Sequence, residues 1–214
     1  MLDRLRRLLR AGPTPILPTP LPRDPRRELA ELVADLVRPG FRTRDEVREI
    51  ALDRAADDVP GLSAAEITAA VDAAWAARLA EQRDWPARTD ADRLDDAFAA
   101  LERTGVVARA SFTCCTTCGF AEIGDEVPAD QHRDGFVFFH SQDAEGLDEP
   151  GTPLALAFGG FSTGDAAART EADRVVGERV RAALLEHGLP VEWDGDPAGR
   201  IVVRAPDWRR RLPA

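Results

Sequence analysis

The spacing of apolar residues changes at Gly105, and this change constrains the fold more than any other feature of the sequence. Before Gly105 the apolar residues recur three or four positions apart, which is the period of an amphipathic helix. After Gly105, short runs of β-branched and aromatic residues are separated by turn-forming residues, as is typical of strands. The sequence therefore predicts an α+β fold, in which a helical N-terminal region is followed by a mostly antiparallel sheet of about five strands with packed helices.

Capping signals predict four helices between about residues 25 and 104. Asp24 precedes Pro25, which combines an N-cap residue with a proline at the first helical position. The capping-box pattern, a Ser or Thr followed three residues later by an acidic residue, occurs at residues 43–46 and 63–66 and in a weaker form at 89–92. Each pattern stands ahead of an apolar stripe, so each helix has one face to bury.

Five strand-like runs follow Gly105, at residues 106–113, 135–140, 154–158, 191–193 and 200–203. A long helix is expected from about residue 166 to 187. The second and third runs are joined by a short connection, which favours an antiparallel hairpin over a parallel crossover. Because little chain separates Cys118 from Gly135, we also expect no helical crossover between the first two strands.

Three parts of the chain differ in character. Residues 1–24 contain many arginines and prolines and are predicted to be a flexible leader and linker, since prolines at this density oppose helix and sheet formation. Residues 25–88 form the predicted helical region, and residues 89–214 form the predicted α+β domain. Near the end, arginines 209–211 make a short basic run that we interpret as a solvated tail.

Charge and composition exclude several classes of protein. The net charge of −10 opposes general nucleic-acid binding, which needs a basic surface. No segment approaches the roughly 20 apolar residues of a membrane span. Three cysteines packed within five residues do not make a disulfide framework, which favours the reducing cytoplasm. We therefore expect a soluble, intracellular, cytoplasmic protein.

The segment Cys114-Cys115-Thr116-Thr117-Cys118 is the most reactive part of the sequence. Two thiolates in a C-x-x-C can bind one metal ion from the same side, and Cys114 adds a third sulfur. A closed zinc site needs four ligands, and no second C-x-x-C exists. The fourth ligand would have to be His132, His140 or a carboxylate such as Glu122.

Two other interpretations of the cysteines stay open. A C-x-x-C that leaves a strand and enters a helix can have a reactive thiolate, because the helix dipole lowers the thiol pKa. This would make Cys115 and Cys118 a thiol-redox pair. Free cysteines are also commonly buried as small apolar residues, which would give them a packing role alone.

A second candidate site follows the most hydrophobic strand, where His140, Gln142 and Asp143 lie within four residues. A histidine close to a carboxylate can bind metal or act as a general base that the carboxylate orients. The alternative is a polar loop that caps the strand end.

Several segments between about Trp85 and Arg210 resemble an uncharacterised bacterial family, a domain of unknown function. They include Phe112-Thr113-Cys114-Cys115 with Cys118-Gly119, and Phe138-Phe139-His140-Ser141-Gln142-Asp143. No activity is known for the family, so the resemblance implies none. Some of its members have a glycine-containing aromatic stretch in place of the cysteines and keep the His-x-Gln-Asp piece. The resemblance therefore favours His140, Gln142 and Asp143 over an obligate zinc site.

Two functions remain open from the sequence. The first is a small interaction or regulatory module with an unidentified protein partner, whose cysteines are structural or bind zinc through Cys114, Cys115, Cys118 and His140. The second is an enzyme or thiol-redox protein that uses the Cys115 and Cys118 pair or the His140 and Asp143 cluster. Convergence of four ligand atoms on one point favours zinc, whereas two exposed sulfurs at a helix start favour redox chemistry.

Overall fold

The structure, a computed structural model, describes residues 24–59, 61–149, 151–204 and 206–213, without the side chains of Ala56 and Asp58. The leader predicted for residues 1–24 lies, apart from Asp24, outside these described residues. The separation of a helical region from an α+β domain at residue 88 stays a prediction.

Each predicted helix start carries a cap in the structure. Helices α1 (Pro25–Val37), α2 (Arg44–Asp58), α3 (Ala64–Glu81) and α4 (Asp90–Arg103) begin directly after Asp24, Thr43, Ser63 and Thr89. The three predicted capping boxes are reciprocal, because the hydroxyl accepts from the backbone N–H three residues on and the acidic side chain accepts from the capping residue's own N–H. A short 3₁₀ turn, Gln82–Asp84, follows α3. The buried faces of α1, α2 and α3 pack together in one hydrophobic cluster.

A five-stranded sheet follows, in the spatial order β1-β2-β3-β5-β4. Its strands are β1 (Val106–Arg109), β2 (Gly135–Phe138), β3 (Leu154–Gly160), β4 (Val191–Glu192) and β5 (Ile201–Val203). The pairs β2–β3, β3–β5 and β4–β5 are antiparallel. The predicted α+β fold and the predicted hairpin between the second and third strands are therefore confirmed.

The connection between β1 and β2 contradicts one prediction, because these two strands are parallel. A parallel pair requires a crossover, and here a short helix, α5 (Thr116–Glu122), and a 3₁₀ turn, Ile123–Glu126, make it. The prediction is wrong because a parallel crossover does not require a full-length helix. Seven residues of helix are enough here, since α5 lies very close to the sheet.

The sheet is covered on both faces. Helices α4 and α7 (Ala166–Glu186) pack on one face and share its main hydrophobic cluster. The opposite face of β1, β2 and β3 is covered in part by α5 and its 3₁₀ turn, through a smaller cluster that includes Val107, Ile123 and Phe138. The small helix α6 (Ser141–Ala144) caps the end of β2.

The C-terminal segment binds back onto the body of the protein. Trp208 is buried against the rings of Phe41 and Phe139, at centroid distances of 5.9 and 6.3 Å, and its indole N–H donates to the Pro39 carbonyl at 3.2 Å. Arg210 donates to both carboxylate oxygens of Asp95 at 2.8 and 2.9 Å. The interpretation of this basic run as a solvated tail is therefore wrong for Arg210, and likewise for the next arginine, which pairs with a carboxylate of α4.

Among the described residues, no helix has the length and apolar composition that crossing a bilayer would require.

Replacing Trp208 should weaken the attachment between the helical region and the sheet. We expect Trp208→Ala to lower the free energy of unfolding by about 3–5 kcal/mol, because a buried aromatic side chain leaves a cavity. Trp85→Ala is the matched control: Trp85 is half-exposed and has Arg78 over its ring at 4.6 Å, so its loss should cost no more than about 1 kcal/mol. Urea unfolding followed by circular dichroism measures both, and equal costs would contradict the role assigned to Trp208.

Candidate functional site

The loop that leads from β1 to the cysteines has an unusual backbone. Ser111 and Thr113 have φ values of 50° and 58°, in the left-handed region that non-glycine residues rarely adopt. Between them, Phe112 donates its backbone N–H to the Phe139 carbonyl at 2.8 Å and packs edge-on to the ring of Phe138. These contacts hold the loop in a conformation that costs about 1–3 kcal/mol per strained residue.

Helix α5 begins at the cysteines and sits directly on the sheet. Cys115 is its N-cap residue, with extended backbone, and Thr116 is its first helical residue. Gly119 faces the ring of Phe138 so closely that a β-carbon there would lie 2.3 Å from the nearest ring atom. Only glycine permits this approach, so Gly119 determines how near to β2 the start of α5 can lie.

The three sulfur atoms form one compact group at the protein surface. The sulfurs of Cys114, Cys115 and Cys118 all lie within 4.8 Å of one another, and the Cys114 and Cys118 sulfurs are 3.6 Å apart. All three are free thiols; Cys114 is exposed and the other two are half-buried. Among the described residues, no other group of three His, Cys, Asp or Glu side chains brings its potential ligand atoms within 4.8 Å of one another.

The thiols of this group differ in acidity. The backbone N–H of Cys118, then the thiols of Cys118 and Cys114, hold the pKa of the Cys115 thiol below its ordinary value. Hydrogen bonding to the Cys114 and Cys115 sulfurs, and the negative charge that these can carry, raise the pKa of the Cys118 thiol to about 11. In the absence of metal, Cys115 therefore ionises before Cys118.

His140 lies beside the sulfur group and is fully engaged in hydrogen bonds. It is buried and acts as the N-cap of α6, where its Nδ1 accepts from the Asp143 backbone N–H at 3.1 Å. Since Nδ1 accepts, the proton of the neutral ring is on Nε2, which lies 2.8 Å from the Thr116 hydroxyl oxygen and 3.1 Å from Asp143 Oδ2. In this arrangement both ring nitrogens have hydrogen-bond partners.

Asp143 is held by an arginine from a distant part of the sequence. Its two carboxylate oxygens accept from Arg200 at 2.9 and 2.7 Å, and Oδ2 also accepts from the His140 backbone N–H at 3.1 Å. Arg200 donates in addition to the Ala155 carbonyl at 2.6 Å. Gln142 has an exposed side chain and makes no side-chain hydrogen bond within the described residues.

The structure thus brings together some of the residues expected from the sequence. The three cysteines converge, and His140 contacts Thr116, whose backbone continues from Cys115. None of the other candidate ligands that the structure describes joins the group of sulfurs. His132 is exposed and lies 3.5 Å from Asp134, Glu122 is exposed at the end of α5, and the His140 ring is turned toward Thr116 and Asp143.

Thr116 and Arg200 belong to this arrangement, although neither is predicted from the sequence as a site residue. Thr116 lies inside the C-x-x-C, where its position suggested only a spacer. Arg200 is 57 residues from Asp143. No local spacing in the sequence indicates such a pair. The strand order would have been needed, because it is the sheet that brings the loop ending in Arg200 close to Asp143.

Comparison with models of known protein families identifies the family of this chain. A family model described as Domain of unknown function (DUF6891) matches residues 22–212. The chain belongs to this family. The resemblance identified from the sequence is confirmed, and the family domain extends beyond it to include the helical region, α1 to α3. No curated protein matches the chain. No solved structure matches it either.

Gly119→Ala should disturb the cysteine group through the helix that bears it. The added methyl group would force α5 away from Phe138, and we expect a loss of about 1–3 kcal/mol in the free energy of unfolding together with faster reaction of the thiols with an aromatic disulfide reagent. Gly124→Ala is the matched control, because a β-carbon at Gly124 meets no atom within 4 Å. If Gly119→Ala were as stable as Gly124→Ala, the close approach of α5 to the sheet would be wrong.

Proposed function

We propose that this protein is a small cytoplasmic interaction or regulatory module that binds one zinc ion through Cys114, Cys115 and Cys118. The observation that carries the proposal is the convergence of the three sulfurs within 4.8 Å. The acidic net charge of −10 supports a protein partner rather than nucleic acid. Three free thiols support a reducing compartment.

The spacing of the sulfurs supports zinc. Zinc–thiolate bonds of about 2.3 Å in a tetrahedral site place two sulfurs about 3.8 Å apart. The Cys114 and Cys118 sulfurs are 3.6 Å apart, so little movement is needed to bind the ion between them. Thiolates are also the ligands that zinc and other thiophilic ions prefer over harder cations.

The proposed site has three ligands from the protein and one open position. Structural zinc sites are closed by four protein ligands, whereas sites with three keep a place for water or an incoming group. His140 could supply the fourth ligand only by releasing Thr116 and Asp143, to which its ring is bonded. We therefore assign the open position to water or to a side chain of a partner protein.

A neighbouring aromatic side chain supports the interaction role. Phe120 is 51% exposed, although it lies edge-on to the rings of Phe136 and Phe138 at 5.8 and 5.5 Å. It lies on α5, the helix whose first turn carries the cysteines, so it is an exposed aromatic side chain on the same element. Exposed aromatic side chains are common anchors of protein interfaces.

Native mass spectrometry of the freshly purified protein tests the zinc proposal. We expect one zinc ion per chain, lost after treatment with a chelator and absent from Cys115→Ser and Cys118→Ser. Thr117→Ala is the matched control, because Thr117 lies inside the same C-x-x-C, is exposed and offers no thiolate. A protein that remains metal-free after incubation with zinc under reducing conditions would overturn the proposal.

The closeness of the sulfurs also supports a second candidate function, thiol–disulfide exchange. The Cys115 thiolate would attack one sulfur of a substrate disulfide, which forms a mixed disulfide and releases the first thiolate. Cys118, after losing its proton to solvent, would then attack the Cys115 sulfur and release the second thiolate. The two cysteines lose two electrons, and the substrate disulfide gains them as two thiols. His140 and Asp143 have no part in this reaction, since both are committed to hydrogen bonds.

Incubation of the metal-free protein with oxidised glutathione tests this second function. We expect the chain to lose the mass of two hydrogens as a Cys115–Cys118 disulfide forms, and Cys118→Ser to retain one glutathione on Cys115. Cys114→Ser is the control, which should still form the internal disulfide. If glutathione remained on Cys114, or if no cysteine reacted, thiol exchange by this pair would be excluded.

A further inference from the structure

A cavity of about 280 Å³ lies between the helical region and the segment of residues 141–149. One wall carries arginines from the end of α1, the following loop and α2, namely Arg38, Arg42 and Arg54. The lining also includes acidic residues from the segment after α6, namely Glu145, Asp148 and Glu149. The cavity is therefore lined by a set of basic residues, here called the basic wall, and a set of acidic residues, here called the acidic wall, and none of the three cysteines lines it.

The charges of the two walls only partly neutralise each other. Arg38 pairs with Asp148 at 3.3 Å and so joins the walls at one point. A second acid on the helical side, Asp35, lies 3.8 Å from the same guanidinium group. Within the described residues, Arg42 and Arg54 make no hydrogen bond or ion pair, and Arg42 acts on Glu46 only through its charge.

The acidic wall shows the same pattern. The side chains of Glu145 and Glu149 make no hydrogen bond or ion pair with any described residue. Two cationic groups and two anionic groups thus line the same cavity without contacting each other. A ligand with one charge would be attracted by one wall and repelled by the other, whereas a ligand with both charges would be attracted by both.

We propose that this cavity binds a small zwitterionic molecule of the amino-acid or dipeptide class. The carboxylate of the ligand would pair with the guanidinium groups of Arg42 and Arg54, whose planar donors match a carboxylate. Its ammonium group would pair with Glu145 and Glu149. The volume lies just below the roughly 300 Å³ at which pockets for drug-sized ligands begin, which suits a ligand of this size. The proposal does not depend on the zinc site.

Two serines among the lining residues support a built site. Ser111, which lines the cavity, has a left-handed backbone with φ of 50°, a strained conformation that tends to occur at functional sites. Ser141 also lines the cavity, and its hydroxyl donates to the Cys114 carbonyl at 3.4 Å. A ligand in the cavity would therefore have two hydroxyl-bearing residues in its lining as well as the charged groups.

Saturation-transfer NMR with the full-length protein tests the proposal. The probes are a pool of the twenty free L-amino acids and a pool of unblocked alanine- and leucine-containing dipeptides. The matched pools contain the same compounds with an N-acetyl group or a C-terminal amide, so each lacks one charge. We expect members of the unblocked pools to bind, and each blocked form to bind at least about tenfold more weakly because one charge pair is lost.

Three variants locate the binding. Arg54→Gln and Glu149→Gln each remove one charge from an exposed side chain of the cavity, so they should fold normally and weaken binding at least about tenfold. Arg44→Gln is the control, because Arg44 is on the same helix as Arg54 but pairs with Asp72 outside the cavity.

Three results would overturn the proposal: no binding from either unblocked pool at millimolar concentration, equal binding of the blocked compounds, or unchanged binding by both cavity variants. None of these results bears on zinc, which is measured separately by native mass spectrometry.

Discussion

Asp143 links α5, α6 and three strands of the sheet, and the candidate site depends on it. Its carboxylate binds Arg200 of the β5 side, and Arg200 in turn binds the Ala155 carbonyl of β3. The same carboxylate and the Asp143 backbone N–H hold His140 at the end of β2, and His140 reaches Thr116 at the start of α5. A carboxylate that is only 11% exposed must be paired, and removing one partner of such a pair typically costs about 3–5 kcal/mol.

This network gives the His140 and Asp143 pair and the cysteines different roles, although the sequence presents them as alternative sites. His140 and Asp143 form a reciprocal cap on α6, and the hydrogen bond from His140 to Thr116 fixes the first turn of α5. The cysteines lie on the outer side of that turn, where their sulfurs face one another and solvent. The His140 and Asp143 side chains therefore hold the start of the helix that bears the sulfur group.

The features that could be predicted from the sequence are those determined by neighbouring residues. The caps at Thr43 and Ser63, for example, need only a hydroxyl and an acidic side chain three residues apart, so local spacing is enough to identify them. The parallel pairing of β1 with β2 was missed, because it depends on how closely Gly119 can approach Phe138 across the sheet. Trp208 and Pro39 are 169 residues apart in the sequence, and no periodic pattern can indicate a contact between residues so far apart.

Contacts within the protein order the loop that carries the cysteines, so this loop does not require a metal ion to hold its conformation. Phe112 bonds to the Phe139 carbonyl, Ser141 donates its backbone N–H to the Thr113 carbonyl at 3.1 Å, and Gly119 rests on Phe138. In small zinc domains the metal supplies the folding free energy, because little else orders the ligands. Here a sheet, a helix and a buried ion pair order them. An ion at these sulfurs would therefore not be needed for folding.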